Sequence, residues 1–273
     1  MRRTMVNLTL RAQEMVMTSL LIFSIIIMSV DPLQSTEGAG GRVSNDCVPL
    51  SAFGDNVYVS WVGNKTGNWE VMFRVSEDNG KTFSDKINLS NTTNSTSLDP
   101  HIAANDENVY VSWHDNKTGN WDTYLRTSHD SGKTFGETIK INGTGNEPQT
   151  EKIGAYPGLD PVEDVPVEAT HVTSSGNNVY VASWDKKTGN WEVFLAKSSD
   201  NGDTFGDTIN LSNTTDQRSD AAHVFAVDEN VYLTWWETGK NGTTIPVFRA
   251  SNDNGETFGP ILTLAANGTL GEG

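Results

Sequence analysis

One eight-residue phrase occurs four times, as SEDNGKTF from Ser76, SHDSGKTF from Ser128, SSDNGDTF from Ser198 and SNDNGETF from Ser251, at steps of 52, 70 and 53 residues. Ser, Asp, Gly, Thr and Phe return in every copy while the positions between them drift. A catalytic centre is assembled once from convergent side chains, whereas self-similarity at a period of about fifty residues marks a fold of stacked units. Gly132-Lys133-Thr134 in the second copy invites a phosphate-loop reading. That loop needs another glycine five residues before the Gly-Lys pair, where bare backbone closes on phosphate, and Thr127 stands there. The octet has the chemistry of a turn instead: Asp accepts backbone N–H groups, Gly supplies a left-handed residue and Phe packs inward. Asp78, Asp130, Asp200 and Asp253 are therefore read as turn clamps.

Between octets the elements keep one order: an apolar segment, a strand of the type NVYVSW, a turn, another strand, the octet and a last short strand. In the second copy the predicted strands are 101–104, 109–113, 121–127 and 138–141. Val, Tyr and Trp alternate there with small or polar residues, as a pleated, packed surface requires. The turn between the second and third strands reads NKTGNW at Asn64 and Asn116 and KKTGNW at Lys186, with Gly67, Gly119 and Gly189 predicted at positive φ. The fourth copy reads GKNGTT and loses the Trp. The third reads NVYVASW, one residue longer before its Trp, which predicts a bulge at Ala182 or Ser183. Four-stranded units that each meet only their neighbours predict an all-β chain, a β-propeller of four-stranded antiparallel blades. The blades fall at about 43–91, 92–143, 160–213 and 214–269, with an insertion at 143–166 that explains the longest step.

The S-x-D-x-G-x-T-F octets resemble the Asp boxes, or BNR repeats, of the sialidase-like β-propellers, over residues 43 to the C-terminus. For activity the resemblance implies little, because Asp-box propellers include hydrolases, lectin-like modules and receptors. It does imply two faces: Asp-box turns on one, and on the other the functional loops, namely the turns between second and third strands and the blade-to-blade connections. Sialidases of this kind usually have six blades. Four octets leave open a compact four-bladed ring, an open part of a six-bladed propeller, or a half that pairs with a second copy.

Residues 1–30 differ sharply from the rest of the chain. Arg2, Arg3 and Arg11 precede an apolar run from Met15 to Val30, the layout of a signal peptide or of an uncleaved N-terminal anchor, with 31–42 as a linker. The expected location is secreted or cell surface. The leader carries a net +2 and the whole chain −16, so the remainder carries −18. That acidity argues against nucleic acid and anionic membrane surfaces, leaving membrane contact to the N-terminal anchor alone, and suits glycan, protein or cation partners. A single cysteine, Cys47, excludes an internal disulfide. Ten Asn-x-Ser/Thr sequons follow the leader, among them Asn64, Asn91, Asn116 and Asn213. They read as turn chemistry and, given export, as glycan acceptors.

Eight residues before the Val of each NVY stand Pro49, His101, His171 and His223. Three imidazoles at one repeat position on the innermost strand form a candidate Zn²⁺ or Cu²⁺ site. Just upstream, Asp46, Asp99, Glu168 and Asp220 form a candidate carboxylate ring for Ca²⁺ or another divalent cation at the central channel. Duplicated strand residues and start-of-strand turn chemistry explain both patterns without a metal. Trp69, Trp121 and Trp191, at the ends of the KTGN turns, are candidates to stack on sugar rings or to pack between blades.

A sialidase, as the family implies, uses an arginine triad for the substrate carboxylate, a Tyr nucleophile paired with Glu, and an Asp acid/base. After the leader stand Arg42, Arg74, Arg126, Arg218 and Arg249. Arg74, Arg126 and Arg249 each lie two residues before an octet, on the Asp-box side. Arg218 alone stands near the mouth, and an acidic mouth with one arginine repels a carboxylate. Tyr156 in the insertion, with Glu163 or Glu168, imitates the nucleophile pair without a specific spacing. The favoured expectation is a non-catalytic binding module for glycan, protein or cation, with no catalytic residue assigned. The alternatives are an exo-sialidase-type glycoside hydrolase and a structural cell-envelope glycoprotein, with homo-oligomers admitted.

Overall fold

The computed structural model describes residues 48–142 and 170–264. These form sixteen strands in four four-stranded sheets, and no helix among the described residues is long and apolar enough to cross a membrane. Blade 1 contains β1 (Leu50–Phe53), β2 (Asn56–Gly63), β3 (Glu70–Ser76) and β4 (Ile87–Asn88). Blade 2 contains β5 (Ser97–Asn105), β6 (Asn108–Asp115), β7 (Asp122–Ser128) and β8 (Ile139–Asn142). Blade 3 contains β9 (His171–Ser175), β10 (Asn178–Asp185), β11 (Glu192–Ser198) and β12 (Ile209–Asn210). Blade 4 contains β13 (Arg218–Val227), β14 (Asn230–Thr238), β15 (Thr244–Ser251) and β16 (Leu262–Thr263). Each sheet is an antiparallel meander in chain order, and the first strands meet one another in the order β1, β5, β9, β13. This is the predicted all-β propeller architecture.

Strand alternation divides each sheet into two faces, and both faces of the middle blades are covered. β6 is buried from Val109 to Asp115 and β10 from Val179 to Asp185. Three apolar cores fill the joints between blades. The first joint sets Tyr58, Phe73 and Leu89 of blade 1 against Val111 and Trp113 of blade 2. The second sets Tyr110 and Leu125 against Val179 and Val181, and the third sets Tyr180 and Leu195 against Leu233 and Trp235. Burial of aromatic and β-branched side chains from two facing sheets is what holds each joint.

The octets fold as expected, and identically. In the first, the Ser76 hydroxyl donates to Asp78 Oδ1 at 2.7 Å, the Thr82 N–H donates to the same oxygen at 2.8 Å, and the Thr82 hydroxyl donates to Oδ2 at 2.6 Å. Asp130, Asp200 and Asp253 accept the same three bonds. These bonds hold the carboxyls of Asp78, Asp200 and Asp253 at about 2, below the ordinary aspartate value, and Asp130 is lowered by the same bonds. The left-handed stretch is two residues long: Asn79 precedes Gly80 at φ 59°, and Ser131, Asn201 and Asn254 repeat it at 58°.

One expectation is corrected. No bulge occurs at Ala182 or Ser183, because β10 pairs with β11 without interruption from Val179 to Asp185. Instead Trp184 shifts by one residue to the other face, opposite Val193, where β6 carries His114 opposite Thr123. Bulges lie near the starts of β5 and β13, between Leu98 and His101 and between Asp220 and His223.

Candidate functional site

In this meander the octets lie at one end of the blades, and the turns between second and third strands lie at the other with the starts of β5 and β13. That second end is the loop face. A side-chain latch fixes it. Asn68 Nδ2 donates to Glu70 Oε1 at 2.8 Å and to the Ser95 carbonyl at 2.7 Å, while Glu70 accepts the Thr92 N–H at 2.9 Å and the Ser90 hydroxyl. Asn190, Glu192, Ser212 and Thr214 repeat the latch in blade 3. Buried carboxylates in this setting need several donors, and the latch supplies them. Asp122 takes the place of Glu70 in blade 2, where Lys140 Nζ lies 2.7 Å from it and the Thr118 hydroxyl 2.6 Å. The sequence reading missed these acids. Their signal was the acidic residue after each GNW together with the two LSNTT segments. In the same segments Asn91 and Asn213 sit at φ 44° and 46° and donate their N–H groups to Asn88 and Asn210 side chains, which is turn chemistry.

The three candidate tryptophans differ in what they touch. At the first joint Leu98 and Trp121 form a small apolar cluster with Trp69 and Val62 packed against it. At the third joint Trp191 packs against the core with one part and carries charge with another: the Arg218 guanidinium carbon lies 5.1 Å from its ring centroid and Lys186 Nζ 4.8 Å. Arg218 Nε donates to Asp220 Oδ2. Three residues singled out separately in the sequence, Trp191, Arg218 and Asp220, are thus one cluster. The side chains of Arg218 and Asp220 are 26% and 22% exposed, so the pair is open to a ligand yet held.

His101, His171 and His223 also come together, as a row of tilted rings. Ring centroids are 3.8 Å apart between His101 and His171 and 3.9 Å between His171 and His223. Among the described residues no group of three His, Cys, Asp or Glu is arranged to hold a metal ion. Neighbouring ring planes are tilted by 39° and 49° to one another. Burial, reinforced by mutual repulsion, holds the imidazole of His101 down at about 4 and that of His171 at about 2; burial also lowers His223.

Asp220 pairs in register with Trp236 and Leu98 with His114, so Asp220 is equivalent to Leu98. Asp99 instead occupies the left-handed bulge residue, φ 51°, as Ala221 does at 56°. Asp46, Glu168, Arg42, Tyr156, Glu163 and the insertion lie outside the described residues.

The remaining arginines belong to the octet end. Arg126 donates to the carbonyls of Gly136, Phe135 and Leu89, and Arg249 to those of Gly259 and Leu211. Arg74 holds the same strand position in blade 1. A concavity of about 650 Å³ also lies at that end, lined by Val75, Phe83, Ile87 and Lys133 beside the first octet. Its Asp78 is engaged by Thr82 and Ser76 as a turn clamp, and we place the candidate site on the loop face.

No family model and no curated protein sequence matches the chain. Its fold is that of the sialidase-like propellers. Among solved structures it is similar to a protein of unknown function from Dyadobacter fermentans, with a TM-score of 0.52 and 15% identity over 79% of this chain and 67% of that one. It is similar to the Trypanosoma rangeli sialidase in complex with 2,3-difluoro-KDN, with a TM-score of 0.51 and 15% identity over 80% of this chain and 36% of that one. The structure of NanB plus Optactamide gives a TM-score of 0.52 and 10% identity, over 90% of this chain and 56% of that one. The chain thus spans about a third of the sialidase and little more than half of NanB.

Proposed function

We propose that the chain is a secreted or cell-surface Asp-box propeller that binds neutral glycan on its loop face without hydrolysing it. The observation that carries this reading is Arg218, bonded to Asp220 and laid over Trp191. A guanidinium offers five N–H donors in a planar fork and a carboxylate about four acceptor sites, so the pair can share hydrogen bonds with vicinal sugar hydroxyls. The indole edge supplies an apolar platform beside them. A sialoside is disfavoured, because Arg218 is already neutralised by Asp220 in a chain of net charge −16 and Arg126 and Arg249 are bound to backbone carbonyls at the other end.

A glycan array probed with the secreted protein tests this. Neutral oligosaccharides are expected among the ligands, with binding weakened at least tenfold by Trp191→Ala or Arg218→Ala. Turnover of a fluorogenic sialoside that disappears in Arg218→Ala contradicts it and restores the hydrolase alternative.

A further inference from the structure

The three joints inside the molecule share one construction, and among the described residues its two halves recur, unmatched, on the first and fourth blades. In each joint the tyrosine of NVY covers the octet glycine of the next blade. A methyl group on Gly132 would stand 2.7 Å from Phe73 Cζ and 3.6 Å from Tyr58 Cδ1; on Gly202 it would stand 3.0 Å from Tyr110 Cε1, and on Gly255 3.2 Å from Tyr180 Cε1. Gly80, the octet glycine of blade 1, has nothing within 4 Å of that position. Tyr232, the tyrosine of blade 4, is already stacked on Phe248 at 6.1 Å, as Tyr58 is stacked on Phe73 at 6.3 Å.

The surrounding residues follow suit. Leu50 of β1 is 67% exposed, whereas its register equivalents Ile102, Val172 and Val224 are buried against the preceding blade. On the open face of blade 4, Phe225 is 61% exposed and Trp236 40%. Phe225 pairs with Tyr232 where Ala103 and Thr173 pair with Tyr110 and Tyr180, so this face carries a larger apolar knob than the internal joints do. The arginine key is also present in halves. Arg126 reaches the Leu89 carbonyl and Arg249 the Leu211 carbonyl of the preceding blade. Arg74 is the exposed equivalent on blade 1, and Leu264, 50% exposed and placed after its octet as Leu89 and Leu211 are, is the equivalent on blade 4.

We infer that blade 4 of one copy packs on blade 1 of a second copy, head to tail, as neighbouring blades pack within one chain. The occupant is a second copy because each end supplies the half that the other lacks: tyrosine for glycine, leucine carbonyl for arginine. Such a heterologous contact closes into a ring where the rotation permits and otherwise extends as a filament. It is independent of what the loop face binds.

Sedimentation of the full chain tests it, using Phe225→Asp to block one end and Leu50→Asp to block the other, both at exposed positions. The wild type is expected at no less than twice the single-chain mass, and each variant alone as a monomer. An equal mixture of the two variants is expected to form a one-to-one dimer, since one keeps the intact blade 1 and the other the intact blade 4. A monomeric wild type, variants as large as the wild type, or a mixture that stays monomeric would each overturn the inference.

Discussion

At the first joint the Ser97 N–H donates to the Trp69 carbonyl at 2.9 Å, and at the third the Ser219 N–H donates to the Trp191 carbonyl at 3.0 Å. The backbone is the same, so Leu98 and Asp220 occupy one structural position, and Thr96 and Arg218 another. In the first joint that position is fully buried beside Trp121, Trp69 and Val62. In the third it holds an ion pair lying over an indole. Apolar burial in the one shows that the architecture does not need charge there. Partly exposed arginine and aspartate in the other add little stability, which agrees with the binding role proposed for them.

The largest effect should separate these equivalent positions. Leu98→Ala removes a buried side chain and should cost about 3 kcal/mol in urea unfolding, whereas Asp220→Ala should cost about 1 kcal/mol or less. Equal losses would mean that the ion pair is structural.

Acid tests the histidine row that crosses the second and third joints. Its folded-state imidazoles are held below the ordinary value of 6.5, mainly by burial, so the unfolded chain takes up protons first as pH falls. Stability is complete above pH 6.5 and should decline by roughly 2 kcal/mol as pH drops toward 4, after discount for partial exposure. His171→Phe should flatten this slope. The octet aspartates act in a different window: their lowered carboxyls favour the folded state above about pH 4, and that support is lost as pH falls toward 2.

The smallest stability effect is expected for Arg218→Lys, within about 0.5 kcal/mol of wild type, because the substitution keeps the charge beside Asp220 and a partly exposed pair contributes little. Binding should nevertheless fall at least tenfold, since an ammonium reproduces neither the planar fork nor its stacking on Trp191. Unchanged affinity would reduce Arg218 to a point charge.

The octets could be read in advance because their bonds close within eight residues, from Ser76 to Asp78 to Thr82, and owe nothing to distant chain. The histidine triplet was legible as a repeat position. Its geometry was not, since ring orientation follows from packing across three blades. Asp99 and Asp220 are offset by one position because a left-handed residue, Asp99 in one blade and Ala221 in the other, breaks the period-two rule at the strand start. Trp184 shifts for the converse reason: the strand stays regular, so one added residue moves the side chain to the other face. Arg218 and Trp191 were each singled out, but their meeting depends on the joint between blades 3 and 4, which no local pattern encodes.

The most direct measurement is a ¹H–¹⁵N NMR titration of the tryptophan indole N–H signals with the strongest neutral oligosaccharide from the array, assigned with Trp191→Phe. Saturable movement of the Trp191 signal with those of Trp69 and Trp121 unmoved is the predicted result. Movement of Trp69 or Trp121 while Trp191 stays fixed would contradict the assignment of the ligand to the charged joint.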